Sequence, residues 1–280
     1  MGNMSFLRTA ALLGLLTGIL LAIGFLWAGI QGMTIFFVIA LAMNFISYWY
    51  SDKIVLAMYK AKPISKSDEP KLHDIVEKLA DEMNMPKPKL YFVNLPILNA
   101  FATGRSPKHA AVAVTAGLMK NLNWDEIEGV ISHELSHVKN RDTLTSTIAA
   151  TIAGAIAYIA QMAWWGAFGG EKRQGGSAIL LPLIILAPLA ATLVQLAITR
   201  TREYAADKTG ALASKKPLAL ASALDKISKV ASHYPLQGNS ATSHLFIVNP
   251  FRGDALVNLF STHPPVQERI RRLKEISKEI

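Results

Sequence analysis

The sequence contains no cysteine. No disulfide can form, and any metal site must be built from His, Asp or Glu. Charge is also scarce: charged residues make up 18% of the chain and hydrophobic residues 51%. This excludes a disordered chain, which would be charge-rich and poor in apolar side chains. It also disfavours an ordinary soluble globule, in which about 25% of residues are charged. There is no internal repeat and no low-complexity tract. Acidic residues are the rarer sign, 20 against 29 Lys+Arg, for a formal net charge of +9. Such an excess serves nucleic acid, an anionic membrane surface or a membrane-topology signal. The positive residues are mixed with acidic ones and form no aromatic–basic stripe, so no nucleic-acid partner is expected.

Where charge is missing, it is missing in long runs. Residues 9–51 carry none. As one helix, at about 1.5 Å per residue, they would extend roughly 65 Å, about twice the ~30 Å hydrocarbon core of a bilayer. The run is expected to fold once, at Ala28-Gly29-Ile30-Gln31-Gly32, with spans at residues 7–27 and 34–50. Tyr48-Trp49-Tyr50 suits a membrane–water interface. A cleaved signal peptide fits less well, because the stretch is long and a second span follows at once. Residues 143–170 and 174–199 are also uncharged and are separated by Glu171, Lys172 and Arg173. They read as a second hairpin, with a buried soluble helix pair as the alternative. Arg8, Lys53, Lys60, Lys62, Lys139, Arg141, Arg200 and Arg202 flank the four spans, whereas the first hairpin tip has no positive residue. The positive-inside rule then places both termini and the segment between the hairpins in the cytoplasm.

The expected division is therefore residues 1–51, an N-terminal membrane hairpin; 52–142, the first part of an aqueous domain; 143–199, a second hairpin; and 200–280, the rest of that domain. Ser67 is expected to cap a helix running through Pro70 to Met83, with Leu72, Ile75, Val76, Leu79 and Met83 as its apolar stripe. Strand-like runs follow at residues 89–93, 99–102 and 111–115. Asn123 and Glu126 have the capping-box spacing for a helix from Trp124. Further helices are expected at residues 217–231 and 266–278, with a long loop over 233–263. Mixed helices and strands make the aqueous domain α+β.

The chemistry is concentrated in the helix after Asn123, which reads His133-Glu134-Leu135-Ser136-His137. Residues four apart lie on one helical face, so both imidazoles can reach a single ion at about 2.0–2.1 Å. This is the H-E-x-x-H zinc pattern, in which the Glu works as a general base beside the open side of the metal. A catalytic zinc needs a third protein ligand and one open position. The chain has Asn140 and Thr143 where a metzincin continuation requires Gly and His. A Glu on a second helix is the alternative, and Arg200-Thr201-Arg202-Glu203-Tyr204-Ala205-Ala206-Asp207 offers one. Glu203 would bind the metal, and Asp207, four positions on, would accept a hydrogen bond from a ligand His. Asp142, only five positions past His137, is a rival third ligand, though a cap or a pairing at the start of the next segment is the preferred use of it. An ion pair of Glu203 with Arg200 or Arg202 is the competing use of Glu203. If both helices feed one metal, residues 143–199 leave the site and return to it, close to the membrane surface. Metal affinity is expected to fall below about pH 6, as imidazole protonates. The donors point to one Zn2+ per chain and also suit other divalent ions.

At these residues the chain resembles the HtpX-type integral-membrane zinc metallopeptidases, whose wider group includes the CAAX prenyl proteases and the OMA-type mitochondrial protease. The resemblance runs through Asn99-Ala100-Phe101-Ala102-Thr103-Gly104, Ala113-Val114-Thr115-Ala116-Gly117-Leu118, residues 133–142, residues 199–207 and Ser261-Thr262-His263-Pro264-Pro265. It implies a zincin-like α+β domain between two transmembrane hairpins, with its catalytic face toward the cytoplasm, in a multi-pass plasma (inner) membrane protein. It implies endoproteolysis of misfolded or damaged membrane proteins in protein quality control, and self-cleavage. By the same resemblance His133, His137 and Glu203 match the ligands and Glu134 the base. His263 is a candidate oxyanion donor or else part of a helix start. Tyr204 and Asn99 are candidate substrate contacts, and one strand near the active helix offers an edge to an extended peptide. Two other readings stand beside this one: a narrow-specificity prenyl-peptide processor, and a non-proteolytic zinc-containing membrane adaptor or chaperone. An intact Glu134 disfavours the adaptor, because a structural site needs no base.

Overall fold

In the computed structural model the described residues are 2–143, 200–233, 245–248 and 264–280. The second expected hairpin, residues 143–199, and His263 lie outside them apart from Thr143, as does most of the expected 233–263 loop. Two compact units result, Met1–Ser51 with Thr145–Ala197, and Asp52–Leu144 with Ile198–Ile280.

The uncharged N-terminal run forms α1, Gly2–Met58, which breaks where the glycines interrupt the apolar pattern. Ala28 leaves helical geometry and Gly29 takes φ 59°, a conformation that costs a glycine little. The break reverses the chain. The Asn44 side chain donates to Thr17 Oγ1 at 3.0 Å, a contact that a straight helix would stretch to about 40 Å. Phe25, Leu26, Ile30, Val38 and Phe45 lie exposed on this element. Among the described residues one helix, Ala28–Tyr50, is long and apolar enough to cross a membrane, and a shorter apolar helix covers Thr17–Leu26.

The second unit is built on a four-stranded sheet of order β1-β2-β4-β3, from β1 (Lys62–Pro63), β2 (Lys89–Val93), β3 (Ala100–Thr103) and β4 (Ala111–Thr115). β2 and β4 run parallel, and β3 is antiparallel to β4 with Ala102 opposite Val112. Leu90, Ala100, Ala102, Val112 and Val114 turn one face to the main core. Val93, Phe101, Ala111 and Ala113 turn the other face to Val55 and Leu56 at the end of α1. With both faces covered, β4 reads as an unbroken apolar run rather than an alternating one.

Around the sheet lie α2 (Pro70–Glu82), α3 (Ala116–Asn121), α4 (Trp124–Asn140), α5 (Arg200–Ser214), α6 (Pro217–His233) and α7 (Val266–Ile276). The expected cap of α2 is corrected. Glu69 occupies that position without a side-chain bond, and Pro70 starts the helix with its preset φ. Ser67 instead pairs with Ser65 in a separate turn closed by Asp68. At α4 the capping box forms as the spacing requires: Glu126 N–H donates to Asn123 Oδ1, and Asn123 N–H to Glu126 Oε2, both at 2.9 Å. α4 is the pivot of the unit. Its buried Glu126 is held by Ser222 and Lys226 of α6, and its buried Glu128 by Lys78 of α2 and by Lys216. α5 crosses α4 at Gly210, where a Cβ would come within 2.9 Å of His133 N. The close approach sets the reach of the α5 side chains one and two turns earlier, Asp207 and Glu203.

Candidate metal centre

The 3.6-residue period of α4 stacks His133 and His137 on one face, and α5 presents Glu203 and Asp207 against it. Three side-chain atoms converge: His133 Nε2 and His137 Nε2 are 3.3 Å apart. The Glu203 carboxylate spans the pair, with Oε2 3.6 Å from the first and Oε1 3.4 Å from the second. A tetrahedral site with ligand bonds of about 2.0–2.1 Å has edges of about 3.3–3.4 Å. The two imidazole nitrogens stand at such an edge, one ligand atom from each of the three residues lies within 4.8 Å of the others, and their chemistry, two imidazoles and a carboxylate, suits zinc. Among the described residues this is the one group of three or more metal-capable side chains that converges so closely.

Each imidazole turns its other nitrogen to a carboxylate. His133 Nδ1 lies 2.9 Å from Asp207 Oδ1, and His137 Nδ1 lies 3.3 Å from Asp142 Oδ2. Asp142, the rival third ligand in the sequence, thus stands behind His137 and not among the converging atoms. The α4 cap residue Arg141, at φ 61°, bends the chain back to place it there.

Glu134 is 7% exposed and accepts a hydrogen bond from Ala102 N–H of β3 at 3.1 Å. Burial pushes its carboxyl above the ordinary range, against the opposing pull of the two histidines. For His133, burial and Arg269 act to lower the pKa, but Asp207 and Glu203 outweigh them and raise it to about 9. Burial alone would raise Asp207, but Arg269 and His133 hold it well below the usual carboxylate range. β3 is a sheet edge, bonded to β4 alone among the described strands. Asn99 pairs inward with Thr115, so the antiparallel alternation turns the amides of Ala100 and Ala102 outward, where that of Ala102 meets Glu134.

The other candidates fall differently. Both ends of the Asn99 amide are engaged, donating to Leu245 O at 2.9 Å and accepting from Ile247 N–H at 3.0 Å. Tyr204 stacks under the Arg272 guanidinium at 3.8 Å. Arg269 was not singled out from the sequence. It is fully buried and donates through Nε and Nη2 to Asp207 at 2.8 and 2.7 Å, and through Nη1 to Ile247 O at 3.1 Å. A signal was present: Arg269 sits three positions after Val266 and four before Leu273, within the apolar stripe of α7.

The profile of Peptidase family M48 matches residues 66–277. The chain belongs to this family. Over the whole chain it is 57% identical to a protease HtpX homolog of Pyrococcus furiosus, covering 99% of that protein. It is 52% identical to the protease HtpX homolog of Aquifex aeolicus, over 94% of this chain and 90% of that one. The crystal structure of S. mikatae Ste24p shares the fold, with a TM-score of 0.51 at 20% identity, over 97% of this chain and 63% of the Ste24p chain. M48 peptidases are metalloproteases, which agrees with the His133, His137 and Glu203 cluster.

Proposed function

We propose that the protein is a membrane-bound zinc endopeptidase that cleaves misfolded or damaged membrane proteins on the cytoplasmic side and can cleave itself. The observation that carries this reading is the convergence of His133, His137 and Glu203, with one ligand atom of each within 4.8 Å of the others, beside a buried carboxylate that is not one of the three. His133, His137 and Glu203 hold the zinc, and Asp207 steadies His133. When bound, zinc supplies Lewis acidity, which brings water ionisation toward neutral pH and polarises a carbonyl. Glu134 takes the proton of the attacking water and delivers it to the leaving amine nitrogen. Its raised pKa suits both halves of that transfer. The substrate lies extended along the open edge of β3, bonding to the outward amide of Ala100, so its backbone passes Glu134, which the Ala102 amide holds. Residues 1–51 form a membrane hairpin and 143–199 a second one, while 52–142 and 200–280 together form the catalytic domain. The basic flanks of the spans support cytoplasmic termini.

The test is on detergent-purified full-length protein stripped with a chelator. One equivalent of zinc is expected to restore casein cleavage, and its binding to expel a proton. The sign follows from His133. Its pKa is raised from 6.5 to about 9 in the metal-free protein. The stability gained from its protonated pairing is present below about 6.5 and is lost as pH rises through about 9. Zinc must displace that proton, so affinity climbs with pH up to about 9, a higher window than the bare imidazole range of the sequence reading. Calorimetry at pH 7.5 in buffers of different ionisation heat is expected to show about one proton released per zinc. Cleavage that survives chelation, or zinc binding with no proton released, would count against the proposal.

A further inference from the structure

The two imidazoles of the site are backed by similar arms, each a carboxylate followed by an arginine, but the arms are built differently. Behind His133 stand Asp207 and Arg269, both deeply buried. Behind His137 stand Asp142 and Arg202, with side chains 12% and 13% exposed. Asp142 divides its two oxygens. Oδ1 accepts from Arg202 Nε at 2.8 Å and from Nη2 at 2.6 Å. Oδ2 is thereby left facing His137 Nδ1 at 3.3 Å. The two residues come from opposite sides of residues 144–199: Asp142 lies two positions past the end of α4, and Arg202 immediately precedes Glu203 on α5. One ion pair thus links the two helices that supply all three converging donors.

We infer that Asp142 and Arg202 are positioning residues for the metal centre: Arg202 orients the Asp142 carboxylate, which accepts the Nδ1–H of His137 and turns His137 Nε2 toward His133 and Glu203. The inference rests on the proposed metal-holding role of those three residues. It assigns Asp142 a duty other than ligation, and Arg202 a duty other than pairing with its neighbour Glu203. The competing account of the same contact is a latch that merely joins the ends of α4 and α5. The two accounts part when the charges are exchanged, because a reversed pair still joins the helices but offers His137 no acceptor.

The experiment measures zinc affinity of the full chain in detergent by chelator competition, together with the visible absorption of the Co2+-loaded protein. Thermal melting of the metal-free protein reports folding separately. Asp142→Ala is expected to lower zinc affinity about 10–100-fold, the usual effect of losing a partner behind a ligand histidine. Its Co2+ bands are expected to shift. Arg202→Met is expected to have a smaller effect in the same direction. The double variant is expected to be no weaker than Asp142→Ala alone, because the arginine acts through the carboxylate. Exchanging the pair, Asp142→Arg with Arg202→Asp, is expected to recover melting temperature but not zinc affinity. Where Asp142→Ala does not fold, Asp142→Asn keeps the shape and is expected to lose about tenfold. Wild-type affinity and Co2+ bands in the folded Asp142 variants, or recovered affinity in the exchanged pair, would overturn the inference. His137→Ala separates the two levels: if it binds zinc like the wild type, the metal-site reading itself fails.

Discussion

Glu134→Gln is expected to retain about one zinc per chain and to lose peptide cleavage by about 10²–10⁴-fold, the range that a positioned general base contributes. Gln has nearly the shape of Glu, and its carbonyl oxygen can still accept the hydrogen bond that Ala102 N–H gives to Glu134 Oε2. The edge of β3 and the substrate path beside it are therefore preserved. What is lost is a group that takes a proton from water and gives it back to an amine. Casein cleavage and metal content measured on one preparation check this. A variant that cleaves at wild-type rate would remove Glu134 from the chemistry, and one that loses zinc would show that Glu134 supports the metal instead.

Arg269→Met is expected to be the costliest single change to stability, about 3–5 kcal/mol, the usual penalty for removing one partner of a buried ion pair. Met roughly fills the space of the arginine stem. It leaves Asp207, itself 2% exposed, without its two strongest donors, and leaves Ile247 O without Nη1. For a unit of this size the melting temperature of the metal-free protein is expected to fall by roughly 10 °C. Replacing Asp207 by Leu in the same protein removes the stranded charge and is expected to recover much of the loss, because a buried pair exchanged for apolar residues is often near neutral. An unchanged melting temperature in Arg269→Met would show that the pair is more hydrated than its burial indicates.

What was legible in advance follows from how far each signal reaches along the chain. His133, Glu134 and His137 share one helical face, and the cap from Asn123 to Glu126 lies within a single turn, so local period and spacing suffice. Glu203 and Asp207 could be paired because they too are four apart. Gly29 marked the fold in α1 because it interrupts an apolar run. Arg269 escaped because it sits beside Arg271 and Arg272, which pair with Glu268 and Glu275 on an exposed face. A run of charges reads as a solvated surface until packing shows that one member points inward. The role of Asp142 was hidden for a similar reason, since its partner Arg202 is 60 positions away. Ser67 had the composition of a cap, but Pro70 had already fixed where the helix begins. Strand β1, two residues including a proline, is too short to leave a pattern. That β3 is an open edge depends on the strand order, which local sequence does not encode.

The most direct measurement is the zinc content and affinity of Glu203→Ala beside the wild type, each stripped with chelator and reloaded with one equivalent. Glu203 comes from a different helix than the two histidines, 66 positions beyond His137, and its place at the metal is what joins α4 and α5 into one centre. The expected result is about one tightly held zinc in the wild type and no tightly held zinc in Glu203→Ala, with cleavage lost in step. Full zinc occupancy at unchanged affinity in Glu203→Ala would contradict a centre built from His133, His137 and Glu203.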